Sequence, residues 1–361
     1  EQREQLGTGH AVLQTKELLA KERGTIMVLC GDTPLLTAEL LARFHEEHVQ
    51  SRAKATVLTA IMPNAKGYGR IIRRESGEVL KIVEHKDATE EERKIREINA
   101  GIYCFDAQAL FSALAKVTND NAQGEYYLPD VLGILRDAGE KIWAVVADNY
   151  ESTLGINSRS QLAVAERILR RRKVEELMAD GVTIMDPHTT FIDAEVHVGM
   201  DTVIYPFTFL EGVTVIGEDC CIGPHVRFQN TVVGDGVKAH YVYAHDADVE
   251  SGTDLGQFNH IRPDSHLGAG VKLGNFVEVK NSDIGAGSKL PHLSYIGDCD
   301  MGEHVNMGCG TITVNYDGRN KFRTVIGDNA FVGCNSNLVA PVALGEDSYV
   351  AAGSTITRDV P

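Results

Sequence analysis

The chain has 361 residues, a net charge of −16, 43% hydrophobic and 24% charged residues, 35 glycines and only 6% aromatics. This length allows roughly two domains; the charge argues against nucleic acid or an anionic membrane as the main partner; and no apolar run approaches the roughly 18 residues needed to span a bilayer. The seven cysteines, odd in number and without a CxxC pair, argue against a disulfide framework or a zinc site and point to a reducing cytoplasm.

The chain opens at Glu1 rather than Met, with no signal-peptide pattern, and reads as a fragment or processed form. Gln5-Leu6-Gly7-Thr8-Gly9-His10-Ala11 starts a helix, where glycines let a ligand approach the backbone and the N-terminus favours phosphate. Residues 24–30 form a short apolar run ending at Gly31-Asp32. This predicts a buried strand delivering Asp32 at its C-terminal end, where open α/β sheets hold ligands. Residues 37–47 have helical spacing with Thr37 as N-cap, and 55–61 and 102–105 read as further strands. The first 157 residues thus alternate α and β. Residues 158–179 then predict one long connecting helix, capped by Asn157 or Ser158, with its Arg170–Lys173 run a solvated face.

From Ile192 onward, a bulky apolar residue recurs every six positions: Ile192, Val198, Ile204, Leu210, Ile216, Ile222 and Phe228. The period slips at Val233, resumes from Val249 to Val279, slips again before Ile284, and closes with Ile326 to Ile356. A period of six fits neither an amphipathic helix nor a long alternating strand. It fits a coil of short strands, each sending one aliphatic side chain inward, with Gly, Asp and Asn at the corners. Residues 311–324 break the period and predict a loop thrown out from one face, a usual place for a site. The pattern resembles the hexapeptide-repeat acyltransferases, whose left-handed parallel β-helices form trimers. The expected organisation is 1–157, an α/β domain; 158–180, a linker helix; and 181–361, the β-helix.

The resemblance implies acyl transfer from a thioester to an amine, and the second half carries a polar set suited to it. A protonated amine is no nucleophile, so a base is needed, and His is matched to that role near neutrality. His292 is the candidate among thirteen histidines, because it lies on a coil edge between Lys280 and the 311–324 loop. Glu278 is expected to orient and polarise it. Arg262, Lys280 and Lys321 supply positive charge for a sugar phosphate, Arg262 in bidentate fashion. Tyr295 and Tyr316 are hydrogen-bond donors, and backbone N–H groups near Tyr316 are candidates for the oxyanion.

In the first half the opening motif is followed by Cys30-Gly31-Asp32-Thr33-Pro34-Leu35, Gly67-Tyr68-Gly69-Arg70-Ile71, Ile82-Val83-Glu84-His85-Lys86, Glu97-Ile98-Asn99-Ala100-Gly101, the 121–127 stretch and Gly155-Ile156-Asn157. In the second half come Asn259–Pro263, Gly274–Lys280, Pro291–Asp298, Val305–Gly308, Gly310–Gly318 and Asn320-Lys321-Phe322. In order and spacing these segments resemble the bifunctional N-acetylglucosamine-1-phosphate uridyltransferase/glucosamine-1-phosphate acetyltransferase family, over nearly the whole chain. The resemblance implies an α/β nucleotidyltransferase (Rossmann-like) domain followed by a left-handed β-helix, and a cytoplasmic homotrimer. It implies small-molecule substrates: glucosamine-1-phosphate and acetyl-CoA for one reaction, UTP with Mg²⁺ for the other, giving UDP-N-acetylglucosamine for peptidoglycan and lipopolysaccharide synthesis. It places Gln2, Gly7 and Thr8 on uridine, and Gly69, Glu84, Asn99 and Asn157 on the UDP-sugar, with Asp32 and Asn157 as Mg²⁺ ligands. On the β-helix it places Arg262, Lys280, Tyr295, Asn306 and Lys321 on the sugar phosphate, and Cys309, Asn315, Tyr316, Cys334 and Ala352 on the acetyl-CoA side.

Two departures shape the expectation. The family domain begins with a strand and a Gly-rich loop carrying Arg and Lys for the nucleotide phosphates, and nothing before Gln2 supplies them. Uridylyl transfer depends on positioning and charge neutralisation, so this chain is expected to show little or none, with apolar sheet surface left exposed. The family also continues beyond the position of Pro361 with a basic tail that completes the acetyl-CoA pocket. Two other readings compete. A single-activity nucleotidyltransferase would keep the phosphate loop and carry no polar set on its β-helix. A non-enzymatic regulatory subunit, as in some eukaryotic translation-initiation exchange factors, would not need Glu278, Lys280, His292 and Tyr295 together.

Overall fold

The computed structural model describes residues 1–121 and 123–361; Ala122, within the 121–127 motif, lies outside the described residues. The chain divides into two compact units, Glu1–Ile168 and Leu169–Pro361. No helix among the described residues is long and apolar enough to cross a membrane.

The first unit is a six-stranded mixed sheet flanked by helices. Its strands are β1 (Thr25–Val28), β2 (Ala55–Ile61), β3 (Arg70–Arg73), β4 (Val79–Val83), β5 (Glu97–Asp106) and β6 (Ile142–Val146), ordered β4-β3-β5-β2-β6 with β1 also on β5. β2 is parallel to β6, and β5 is antiparallel to β1, β2 and β3. Alternation along β2 sends Ala55 and Val57 into one apolar cluster with Phe105 and Leu110. Past an irregularity in the β5 pairing, Leu58 and Ala60 enter the other with Phe44 and Ile102. Helices cover both faces, so β2 reads as a continuous buried run. β1 differs from the expected buried strand. It pairs only with β5 among the described residues, all four of its residues are half-buried, and Leu29 beyond it is 46% exposed.

Helix α1 (Thr8–Leu13) starts the unit, and α2 (Lys16–Leu19) follows it. Helix α3 (Ala38–Ser51) begins where expected, with Leu40 N–H donating to Thr37 Oγ1 at 3.2 Å. The connecting helix runs from Arg159 to Ala179, and Ser158 caps it by accepting from Gln161 N–H at 3.2 Å. Its basic run is only partly a solvated face, with Arg171 exposed. Lys173 is buried and pairs with Glu176 at 2.9 Å, while the Arg170 guanidinium lies 4.1 Å over the Phe191 ring. Long basic side chains here cover apolar surface with their stems and, at Arg170, with the guanidinium plane.

The second unit is a parallel β-helix with three sheet faces. Val203 pairs with Cys221, eighteen residues on, and Ile204 with Ile222, so three six-residue steps make one coil. The slips in period are short coils: Val232 pairs with Asp248, sixteen on, and Asn275 with His292, seventeen on. Leu210, Ile222, Phe228, Leu255, Ile261, Leu290, Ile296 and Leu338 are fully buried in one continuous core. Each such side chain contributes about 1.5–3 kcal/mol by leaving water. Thr202, Thr208, Thr214 and Ser288, buried at coil turns, satisfy their hydroxyls on backbone carbonyls at 2.7–2.9 Å. Corners take left-handed backbone, mostly at Asp, Asn and Gly, except along one corner where Phe207, His225, Tyr241, Phe258, Phe276 and Leu293 take it in successive coils.

The long coil lies where the period breaks. Cys299 pairs with Thr324, twenty-five residues on. The extra residues form a hairpin at 315–322, closed by Phe322 N–H to Asn315 O at 2.9 Å and by the Tyr316–Lys321 bridge.

Candidate functional site

In the first unit, an open cleft of about 980 Å³ lies beside β1 and β5. Of the residues singled out in the sequence, Thr8, Glu84 and Asn99 line it, together with Cys30, Gly31, Tyr103 and Tyr127. Asn99 is fixed by its neighbours: its amide exchanges hydrogen bonds with Tyr103 Oη at 2.7 and 3.0 Å and accepts from Gly101 N–H at 2.9 Å. Asn99 N–H donates to Gly69 O at 2.9 Å, and a Cβ on Gly69 would lie 3.1 Å from Glu84 Oε1. Gly69 therefore lets the carboxylate come close. Burial, with Asp87 and Asp130 nearby, raises the Glu84 pKa above the usual carboxylate range. Burial and Asp32 raise that of Cys30, so it is no ready nucleophile.

The opening motif serves a different contact from the one expected. A Cβ on Gly7, at φ +100°, would sit 2.7 Å from Tyr126 O, and one on Gly9 would sit 3.0 Å from the same atom. These glycines admit the 125–128 backbone rather than a ligand, and Thr8 Oγ1 accepts from Leu128 N–H at 3.0 Å. The Gln2 amide is spent on Gly7 O and His10 Nδ1, at 3.2 and 3.0 Å, and neither Gln2 nor Gly7 lines the cleft.

Asp32 and Asn157 come together although 125 positions apart. Ile156 N–H donates to Asp32 O at 2.9 Å, and a Cβ on Gly155 would lie 3.2 Å from Asp32 Oδ2 and 3.8 Å from the Asn157 amide nitrogen. The bare Gly155 leaves space between a carboxylate and an amide whose oxygen end can turn inward, a donor pair that fits Mg²⁺.

On the β-helix, the predicted residues fall at two neighbouring corners. The first carries His292. Gly310 N–H donates to Leu293 O at 2.9 Å, and the absent Cβ atoms of Gly308 and Gly333 would each lie 2.4 Å from Cys334 N and Ala352 N. His292, Cys309, Cys334 and Ala352 therefore stack in one column on successive coils. Cys309 is half-buried, and His292, Cys334 and Ala352 are exposed. Asn306 stands beside Lys289 and Phe331, three positions before Cys309.

The second corner carries the cations. Lys280 pairs with Gly297, and Asp298 Oδ2 lies 3.8 Å from Lys280 Nζ. Asn315, at the hairpin root, donates to Asp298 and, at 3.4 Å, to Tyr295 Oη. Gly297 makes the room: its Cβ would meet Tyr295 Oη and Asn315 Nδ2. Lys321 lies near enough to Lys280 for its pKa to be lowered by that neighbour. Tyr316 points outward, its hydroxyl donating to Gly318 O at 2.8 Å.

Two expectations are corrected. Glu278 does not orient His292; it pairs with Arg262 Nη1 at 2.9 Å. Parallel register explains this, because Glu278 stands beside Tyr295 while His292 stands beside Asn275, about 10 Å back along the chain. Nor does His292 lie between Lys280 and the loop in space. The left-handed turn at Leu293 separates it from the face that leads to Gly297. Sequence reasoning missed Asp298, which only its place at a corner after Ile296-Gly297 could have flagged.

Taken together, an α/β unit with a sugar-nucleotide-sized cleft and a β-helix with a polar corner define a two-part transferase. Residues 1–155 match the nucleotidyl transferase family model, and residues 323–358 match the bacterial transferase hexapeptide (six repeats) model. The bifunctional protein GlmU of Geobacillus sp. (strain WCH70) is 55% identical over 360 residues, covering 100% of this chain and 78% of that protein. Those of Brevibacillus brevis and Listeria monocytogenes serotype 4a are 55% and 51% identical, with 78% and 79% of their lengths covered. The chain belongs to the bifunctional GlmU family.

Proposed function

We propose that the two units carry the family's two transfers separately. The β-helix acetylates glucosamine-1-phosphate from acetyl-CoA, and in the intact protein the α/β unit joins N-acetylglucosamine-1-phosphate to the uridylyl group of UTP, releasing pyrophosphate. The observation that carries this reading is the pair of adjacent corners on the β-helix, one a column ending in an exposed His and small residues, the other a cluster of cations around a hairpin.

At the first corner, His292 is the base. No described side chain hydrogen-bonds its ring, so a ring nitrogen is free to take a proton from the substrate's ammonium, leaving the amine to attack the thioester as the CoA thiolate departs. Cys309, Cys334 and Ala352 are small and leave a channel along the column, suited to the extended pantetheine arm of acetyl-CoA. At the second corner, Lys280 and Lys321, with Arg262 and Tyr295 on the approach, hold the sugar phosphate. Asn306 lies on the sugar, and Asn315 and Tyr316 flank the acetyl group.

In the α/β unit, Glu84, Asn99 and Gly69 hold the sugar, and Thr8, the member of the opening set that lines the cleft, stands at the uracil end. Asp32 and Asn157 hold Mg²⁺, which when bound neutralises phosphate charge. The reading includes a homotrimer, supported by the corner where Phe207, Tyr241, Phe258, Phe276 and Leu293 leave apolar side chains exposed. The seven free thiols fit a cytoplasmic setting.

The test gives the purified chain glucosamine-1-phosphate with acetyl-CoA and follows thiol release, then N-acetylglucosamine-1-phosphate with UTP and Mg²⁺ and follows pyrophosphate. Thiol release dependent on the sugar phosphate is expected. No thiol release from a well-folded chain would overturn the acetyltransferase reading.

A further inference from the structure

Asp298 is a charged residue buried at the centre of the cation corner, with only 7% of its side chain exposed. A carboxylate so placed is costly unless its partners are in position, and here each oxygen is engaged. Asn281 donates to Oδ1 at 2.5 Å, Asn315 donates to Oδ2, and Lys280 Nζ lies 3.8 Å from Oδ2. The backbone of the same residue is a node as well. Its N–H donates to Lys280 O at 2.9 Å, and its carbonyl accepts from Thr324 N–H at 3.0 Å, just past the hairpin. One residue thus joins the end of the Lys280 strand to both ends of the 315–324 segment. Burial alone would raise its pKa, but Asn281, Asn315, Lys280 and Lys321 outweigh burial and hold the carboxyl below its ordinary range.

The arrangement sets a charge problem and answers it. Lys280 and Lys321 are close, and Lys280 is the main cause of the lowered Lys321 pKa, with Asp298 and Tyr295 acting the other way. Two ammonium groups held together without a counter-charge repel each other in the empty site. A carboxylate beneath them, shielded from solvent, offsets that repulsion and leaves their outer faces to an anion. We infer that Asp298 is a positioning residue of the acetyltransferase site, its buried carboxylate holding Lys280 and the hairpin root so that Lys280 and Lys321 converge on one sugar phosphate. This rests on the acetyltransferase reading above. Asp298 is too buried to touch substrate itself, so it acts through Lys280, Lys321 and Asn315.

The test is Asp298→Asn, which keeps the volume and tolerates the left-handed backbone at φ +50°. Loss of a charge-assisted contact is expected to raise KM for glucosamine-1-phosphate about tenfold. KM for acetyl-CoA and kcat should change by less than that, because Asn315 keeps its contacts to Tyr295 and Phe322. The KM increase should grow with rising pH, as Lys321, its pKa already lowered by Lys280, loses its proton more readily without the carboxylate. In a Lys280→Met background the same substitution should raise KM by clearly less than it does alone, because part of its action passes through that lysine. An unchanged KM, an equal loss for both substrates, or an effect undiminished in the Lys280→Met background would overturn the inference. Lys321 titration in carbon-13 lysine-labelled protein needs no turnover and should fall by about one unit in Asp298→Asn. An unmoved Lys321 contradicts the inference, whereas a wild-type chain that releases no thiol contradicts the functional reading instead. If Asp298→Asn fails to fold, Asn281→Ala, which removes one donor to the carboxylate, should raise the same KM in the same pH-dependent way, and no change would overturn the inference.

Discussion

The β-helix and the α/β unit assemble their candidate residues by different means. In the β-helix a residue's neighbour is the one a coil later, sixteen to eighteen positions on, or twenty-five across the hairpin coil. His292, Cys309, Cys334 and Ala352 share a column because the repeat carries them there. In the α/β unit Gly69 meets Glu84 across the antiparallel β3–β4 pair, but no rule of spacing joins Asp32 to Asn157, which meet through the order of the elements and a bare glycine. A repeat therefore turns chain position into spatial position. A mixed sheet leaves that step to tertiary packing.

That contrast can be broken at its strongest point by His292→Ala. Removing a base in this unit alone should cut acetyl transfer by about 10²–10⁴-fold, read as thiol release, with unfolding unchanged. A loss under tenfold would remove His292 from the role. Next in size is the core that the repeat builds. Phe228 is fully buried and Phe209 is 36% exposed in a stack with Phe191 at 4.7 Å. Phe228→Ala should cost about 3–5 kcal/mol in thermal or denaturant unfolding. Phe209→Ala should cost about 1 kcal/mol, and equal costs would mean the inward column is not the core.

Glu278→Gln sharpens the comparison inside the β-helix itself. An exposed pair with Arg262 is worth about 0–1 kcal/mol, so kcat/KM should move by less than about fivefold, with an unshifted pH profile. A large kcat loss with a moved acid limb would restore Glu278 as the partner of His292. The smallest effect lies in the α/β unit. Asp106 accepts from Ala109 N–H at 3.0 Å and pairs with Lys54 at 3.0 Å. Burial opposes its ionisation, but these contacts win and lower its pKa. Its contribution is therefore present above the unfolded value, about 3.9, and lost as pH falls through the lower folded value. Asp106→Asn should cost about 1 kcal/mol or less at neutral pH, with the difference from the parent shrinking in acid below about pH 4. A constant difference across that range would assign the cost to packing.

The comparison also explains what the amino-acid sequence could reveal. The six-residue period named Leu210, Ile222, Phe228 and Leu338 as inward residues, because burial in a coil follows position alone. The break at 311–324 pointed to the hairpin for the same reason. Partner choice was hidden. Glu278 found Arg262 because of a register that no single coil displays, and Asp298 is buried by a hairpin whose path depends on both its ends. Gly7 and Gly9 looked like ligand glycines, but the segment they admit lies more than a hundred positions away. Half-buried β1 departs from expectation because its residues face the open cleft.

The most direct test compares thiol release from acetyl-CoA and glucosamine-1-phosphate by the parent chain, Asp32→Ala and His292→Ala. Two separate sites predict that Asp32→Ala matches the parent while His292→Ala loses nearly all release. Loss of release in Asp32→Ala, in a chain that remains folded, would contradict the assignment of acetyl transfer to the β-helix alone.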